Sequence, residues 1–185
     1  KSLPTVAAIV LSLALAFGFW AQWGSSAVIQ ITISPDESSV LELGDIYVVV
    51  PAGTVNRTGI LSAAPVPPDQ MPGVLPAGFE LAAQPYDIKL GPKMSAGDPF
   101  TLDRDVTVAF NFGGEAGQRI SDGEGSLVIY HHKGNPQGWV PLVTDVNLTD
   151  TIASANTRSF SVFALLTGVL EPVKTSDSQS EGVIS

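Results

Sequence analysis

The sequence predicts an α+β protein in which a long N-terminal hydrophobic α-helix is followed by a single antiparallel β-sandwich. Three observations predict it. Between Lys1 and Asp36 no charged side chain occurs, and Leu3–Trp23 (LPTVAAIVLSLALAFGFWAQW) is almost wholly apolar. Beyond Gly24 the apolar residues alternate instead of recurring at helical spacing. The 14 Pro and 18 Gly are spread along the 185 residues, which makes an all-α bundle a poor fit.

The apolar run comes first. About twenty such residues, at ~1.5 Å each in a helix, span roughly the ~30 Å hydrocarbon core of a bilayer. Lys1 stands on the side expected to remain cytoplasmic, and Trp20 and Trp23 stand where an aromatic belt meets the opposite interface. The rest of the chain is therefore expected to be exported. Ala7, Leu11, Ala14, Gly18 and Ala21 fall three to four residues apart. They form a mostly small-residue row that lets helix backbones approach closely, the expected helix–helix packing face. Three readings of this helix are open: a cleavable secretory signal with Ser25-Ser26-Ala27 as the peptidase site, a simple membrane anchor, and the core element of a polymer.

The third reading follows from the first ten residues. Lys1-Ser2-Leu3-Pro4-Thr5-Val6-Ala7-Ala8-Ile9-Val10 resembles the start of mature archaeal-type type IV pilins and the related archaellins. The resemblance covers about the first 25 residues. It implies a processing site at Lys1, where a short leader is removed, a membrane-inserted precursor, and a homopolymer whose apolar helices leave the bilayer to pack on one another. Bacterial type IV pilins fit less well, because Lys1 and Thr5 stand where that pattern has an aromatic residue and Glu.

The strands follow in order. In Ala27–Ser34 (AVIQITIS), Ile29, Ile31 and Ile33 share one face, with Gln30 and Thr32 on the other. Further strands are expected at Asp45–Pro51, Gly59–Ala64, Phe79–Ala83, Tyr86–Leu90, Asp105–Phe112, Ser126–His131, Trp139–Val143, Thr151–Ser154 and Phe160–Leu166. Short strands with turn residues between them predict an Ig-like antiparallel sandwich. Residues 65–78 carry five prolines and read as a loop or edge connection. The expected organisation is a core or transmembrane helix at 1–26, a sandwich at 27–170 and a polar tail at 171–185.

Within the sandwich, Val50-Pro51-Ala52-Gly53-Thr54, Leu75-Pro76-Ala77-Gly78-Phe79, Asp105-Val106-Thr107-Val108, Gly138-Trp139-Val140-Pro141-Leu142 and Ser159-Phe160-Ser161-Val162-Phe163-Ala164 follow one another. That succession resembles the β-sandwich domain of ankyrins and netrin receptors, over roughly Val40 to Leu166. Some members of that group cleave themselves at a His-Phe/Leu-Ser/Thr tripeptide. Here Ser159 stands at the His position, so the hydroxyl of Ser161 lacks the base that would activate it.

Other candidate chemistry is sparse. His131 and His132 are adjacent on an expected strand, so they point to opposite faces, which argues against one shared metal and for a solvated strand end. Asp103 with Asp105, and Asp122 with Glu124, read as turn formers without the twelve-residue calcium-loop pattern. No phosphate-binding glycine loop and no GxSxG elbow is present, so no catalytic residue, metal or cofactor is assigned. The net charge of −9 gives no positive footprint for nucleic acid, and the absence of Cys leaves stability to packing alone. Asn56-Arg57-Thr58 and Asn147-Leu148-Thr149 are sequons, making Asn56 and Asn147 the expected N-glycosylation acceptors. The expected function is a structural subunit of an extracellular surface filament, an archaellum or archaeal-type pilus serving motility or adhesion. The alternative is a single-pass, membrane-anchored sandwich that binds a partner protein or glycan.

Overall fold

Short apolar runs broken by Gly and Pro turns fold into strands wherever every second side chain can be buried. The computed structural model describes residues 28–91 and 101–168. These carry β1 (Ile29–Ile33), β2 (Ser39–Leu43), β3 (Ile46–Val50), β4 (Gly59–Pro65), β5 (Phe79–Leu81), β6 (Tyr86–Gly91), β7 (Val106–Asn111), α1 (Gly114–Ser121), β8 (Ser126–His132), β9 (Trp139–Pro141), β10 (Thr144–Asn147), β11 (Ile152–Thr157) and β12 (Val162–Gly168). One sheet has the order β1-β4-β6-β12-β8-β9, with β5 also paired to β12. The other has the order β10-β11-β7-β3-β2. All pairings between the strands are antiparallel.

The expected α+β class is corrected to a β-sandwich. Among the described residues the one α-helix has eight residues, and no helix is long and apolar enough to cross a membrane. The physical reason lies in the pattern: in the described residues the apolar side chains fall in short runs, alternating in most strands and continuous in β12, and none is long enough to form a helical stripe of three or more turns. The helix expected at 1–26, its packing residues Ala7, Leu11, Ala14, Gly18 and Ala21, the Lys1 processing site and the tail at 171–185 lie outside the described residues.

The two inner faces interdigitate in one core. Ile33, Leu41, Ile46, Val48, Leu61, Ile88, Val108, Phe110, Ile129, Phe163 and Leu165 are fully buried there. A second, smaller cluster lies on the outer face of the first sheet. There Tyr130, Ala164 and Leu166 are covered by Met71, Leu75 and Phe79 from the proline-rich segment and its following strand. Trp139 Nε1 donates to the Pro72 carbonyl at 2.9 Å, and Phe79 meets Tyr130 edge to face at 5.5 Å, which ties this strap to the sheet. Pro65 ends β4 opposite Tyr86, and the four prolines that follow, Pro67, Pro68, Pro72 and Pro76, keep 66–78 out of the ladder and leave it free to lie across it. The strap explains why β12 is apolar on both sides: Phe163 and Leu165 face the main core while Ala164 and Leu166 face the strap.

One glycine is required on two counts. The β2–β3 hairpin turns through Gly44-Asp45, with Leu43 paired to Ile46 and Gly44 at φ +58, a region that favours glycine. A Cβ at Gly44 would also lie 2.5 Å from the Tyr86 hydroxyl, which accepts the Asp45 N–H at 3.2 Å. We expect Gly44→Ala to cost about 2 kcal/mol, from left-handed strain and displacement of that hydroxyl. The double variant Gly44→Ala/Tyr86→Phe should be less unstable than the sum of the two single changes, measured by urea unfolding, because the clash then has no hydroxyl to meet. Strict additivity would remove the hydroxyl clash from the explanation.

Candidate functional site

The strap covers only half of the outer face of the first sheet. Over β1, β4 and β6 that face is open, and it forms a cleft of about 710 Å³ closed at one end by the 158–161 turn and Leu102. The sequence places the lining there by strand alternation. Ile33, Leu61 and Ile88 turn inward, so their neighbours Thr32, Ile60, Ser62, Asp87 and Lys89 turn outward. Ile60 supplies the apolar part of that outer face, and Leu90, Leu102 and Phe160, which also pack against the main core, supply the apolar wall at its end. Gln30, Ser62, Asp87 and Lys89 supply polar groups along it.

The charges of this cleft are matched locally. Lys89 Nζ lies 2.6 Å from Asp87 Oδ2, and Arg158 Nε donates to Asp105 Oδ1 at 2.6 Å. Ion pairs this exposed contribute little to stability. Their effect is on recognition: each cation is balanced by its own carboxylate, so the lining favours a neutral or amphipathic ligand over a free anion. A concave, mainly apolar surface with a few convergent polar groups is the usual form of a binding site.

Ser161 sits at the rim of the same cleft, at the turn into β12, and its hydroxyl donates to the His132 carbonyl. Its proton is thus directed at a peptide oxygen. Across the β12–β8 pair, His131 and His132 stand opposite Phe163 and Val162 and point to opposite faces, as their adjacency requires. The expectation that both occupy a solvated strand end is corrected for His131. That ring is 1% exposed, inside the main core, and stacks on Phe163 with centroids 4.4 Å apart and planes 2° from parallel. Neither ring nitrogen has a hydrogen-bond partner, and burial, then Lys133, then His132, lower its pKa from 6.5 to about 4. His131 is therefore a neutral core residue at physiological pH. His132 is half-buried on the other face, edge-on to Trp139 at 5.2 Å, with Nδ1 accepting the Gly134 N–H at 3.3 Å.

The acidic pairs have local partners. Asp105 pairs with Arg158, and Asp103 accepts the Thr101 hydroxyl at 3.3 Å. Asp122 accepts the Gln118 side-chain amide at 2.9 Å at the end of α1. No group of three or more His, Asp or Glu side chains suited to a metal ion is found among the described residues.

Both sequons are on the surface. Asn56 is exposed between β3 and β4, and Asn147 is exposed at the end of β10. They occupy opposite ends of the second sheet, since β3 reaches Asn56 past Val50 while Asn147 adjoins Ile152, which pairs with Asn111. Asn147 organises its own turn: Oδ1 accepts the N–H groups of Thr149 at 3.0 Å and Asp150 at 3.1 Å, while Nδ2 donates to Asp150 Oδ2 at 2.7 Å. Its side-chain nitrogen faces the surface but is already engaged.

No family model matches the chain, and no curated protein matches it.

Proposed function

We propose that the chain is a structural subunit of an extracellular filament, the sandwich facing solvent and the apolar segment Leu3–Trp23 of each copy packing against those of its neighbours. The observation that carries this reading is the contrast in pattern between the two apolar parts of the chain. Among the described residues the alternating apolar side chains form one sandwich core, with Ile33, Leu41, Phe110, Phe163 and Leu165 all fully buried. The 21 residues of Leu3–Trp23 form an uncharged, almost wholly apolar run that lacks the strands' alternation, and a run of such length favours burial against others like it. Identical copies meeting through different faces of that segment extend without closing, which generates a fibre. The acidic balance of −9 keeps the outer domains apart and soluble. Asn56 and Asn147 would carry any glycans on the outside of such an assembly.

The test is sheared cell-surface material examined by electron microscopy and mass spectrometry. Fibres containing this chain are expected. Gly18→Leu, which places a bulky side chain among Ala7, Ala14 and Ala21, should reduce fibre yield by tenfold or more without lowering the amount of chain in the membrane. An unchanged yield would overturn this packing. The 710 Å³ cleft favours a second reading, a membrane-anchored sandwich that binds a partner. That reading predicts recovery only from detergent-solubilised membrane, as single copies that tolerate Gly18→Leu.

A further inference from the structure

The four strands that end the two sheets are not protected equally. Unpaired backbone N–H and C=O groups along an edge form a template for another strand, and proteins usually blunt such edges with charge, proline or shortness. At the ends of the strand orders, β2 carries Glu42, β10 carries Asp145, and β9 has three residues and ends at Pro141. β1 has none of these guards. It reads IQITI, without charge or proline, and pairs with β4 on one side. Its other edge has no strand partner among the described residues. Val28 and Ile29, at its start, are 55% and 36% exposed.

The strand is also self-complementary. Turned antiparallel on a copy of itself about Ile31, it sets Ile29 opposite Ile33 of the second copy, Gln30 opposite Thr32, and Ile31 opposite Ile31. Apolar residues then continue the core side and polar residues the outer side, which keeps the period of two across the junction. We propose that β1 is the docking site for a second copy of this chain, β1 against β1 about a two-fold axis, joining the two first sheets into one. Charge selects the same place. Two chains of −9 repel, and Val28–Ser34 is an uncharged stretch that brings no carboxylate against its like. A two-fold contact closes on itself and sets the two copies in opposite directions. It therefore does not rest on the packing of Leu3–Trp23; in a filament of like-directed subunits it would join neighbouring filaments.

The chain contains no Cys, so single cysteines report the register directly. Full-length chains bearing Gln30→Cys or Thr32→Cys are purified in detergent, mixed and oxidised. The mixture should give a disulfide-linked dimer at least fivefold more abundant than either variant alone or than Glu42→Cys on β2, because among these positions residue 30 stands opposite residue 32 and not opposite itself. A mixture no better than these controls overturns the proposal, as does equal cross-linking in all samples. Gln30→Lys/Thr32→Lys, with both changes on the outer face, should weaken self-association at least tenfold in sedimentation while the far-ultraviolet β-sheet signal is kept. Unchanged association would also overturn it. Fibres are scored separately by microscopy, so loss of the filament reading and loss of this contact give different results.

Discussion

Phe163→Ala should cost about 3–5 kcal/mol, the range for deleting a fully buried phenyl ring. The ring is 0% exposed at the centre of the sandwich, where β12 joins β8 on one side and β6 on the other through His131 and Tyr86. Its removal leaves a cavity between the sheets and takes away the face on which the His131 ring lies at 4.4 Å. The surroundings are strands held by their ladders, so they collapse poorly into the space, which places the cost in the upper part of the range. Phe160→Ala provides the comparison: that ring is only partly buried, packed against the core from the 158–161 turn, and its loss should cost less than half as much. Urea unfolding of both variants checks the pair. A loss below about 1.5 kcal/mol for Phe163→Ala, or equal losses for the two, would show that β12 is not the keel of the sandwich.

How much of this fold could be read from the residues depended on how many of an element's side chains are buried. Ile46–Val50 is legible because Ile46, Val48 and Val50 are all inside. β2 was not anticipated, because Asp36-Glu37-Ser38 lead into it like a turn and only Leu41 is fully buried. β10 has no fully buried residue and is held by its pairing with β11, so it carries no hydrophobic signal. The sequence gives α1 little more than Ala116 and Ile120 four apart, a Glu115–Arg119 pair at the same spacing, and glycines that obscure both. The α half of the expected class came from residues 1–26, outside the described residues, and the described chain is β. The prolines of 65–78 announced a loop, but nothing local says that it covers Tyr130 and Leu166. The same holds for the cleft. Its walls come from residues far apart in sequence, Gln30, Ile60, Lys89 and Phe160, and only the strand order brings them together. For His131, alternation separated it from His132 correctly but could not choose the inner face, since Leu127 and Ile129 compete with Val128 and Tyr130.

That choice of face predicts an acid sensitivity. In the unfolded chain the His131 imidazole takes a proton near pH 6.5, whereas in the fold its pKa is lowered to about 4, with burial the largest cause and the charges of Lys133 and His132 adding to it. Above pH 6.5 both states are neutral and the residue adds no pH dependence. As the pH falls through 6.5 the unfolded state gains a proton that the folded state refuses, so stability declines until the folded ring also titrates near pH 4. The gap amounts to about 3 kcal/mol at ~1.4 kcal/mol per pH unit. His131→Leu keeps a similar volume, removes both unpartnered nitrogens and cannot titrate. At pH 7.5 it should be more stable than the parent by about 1 kcal/mol, since each buried nitrogen without a partner carries a desolvation cost that exceeds the lost stacking on Phe163. Urea unfolding from pH 7.5 to 4 should show the two proteins diverging further, by roughly 3 kcal/mol over that window, because the residues common to both proteins cancel in the difference. Parallel stability curves would mean that His131 already finds a proton acceptor or water in the folded core, and the ring would then have to be placed in contact with solvent.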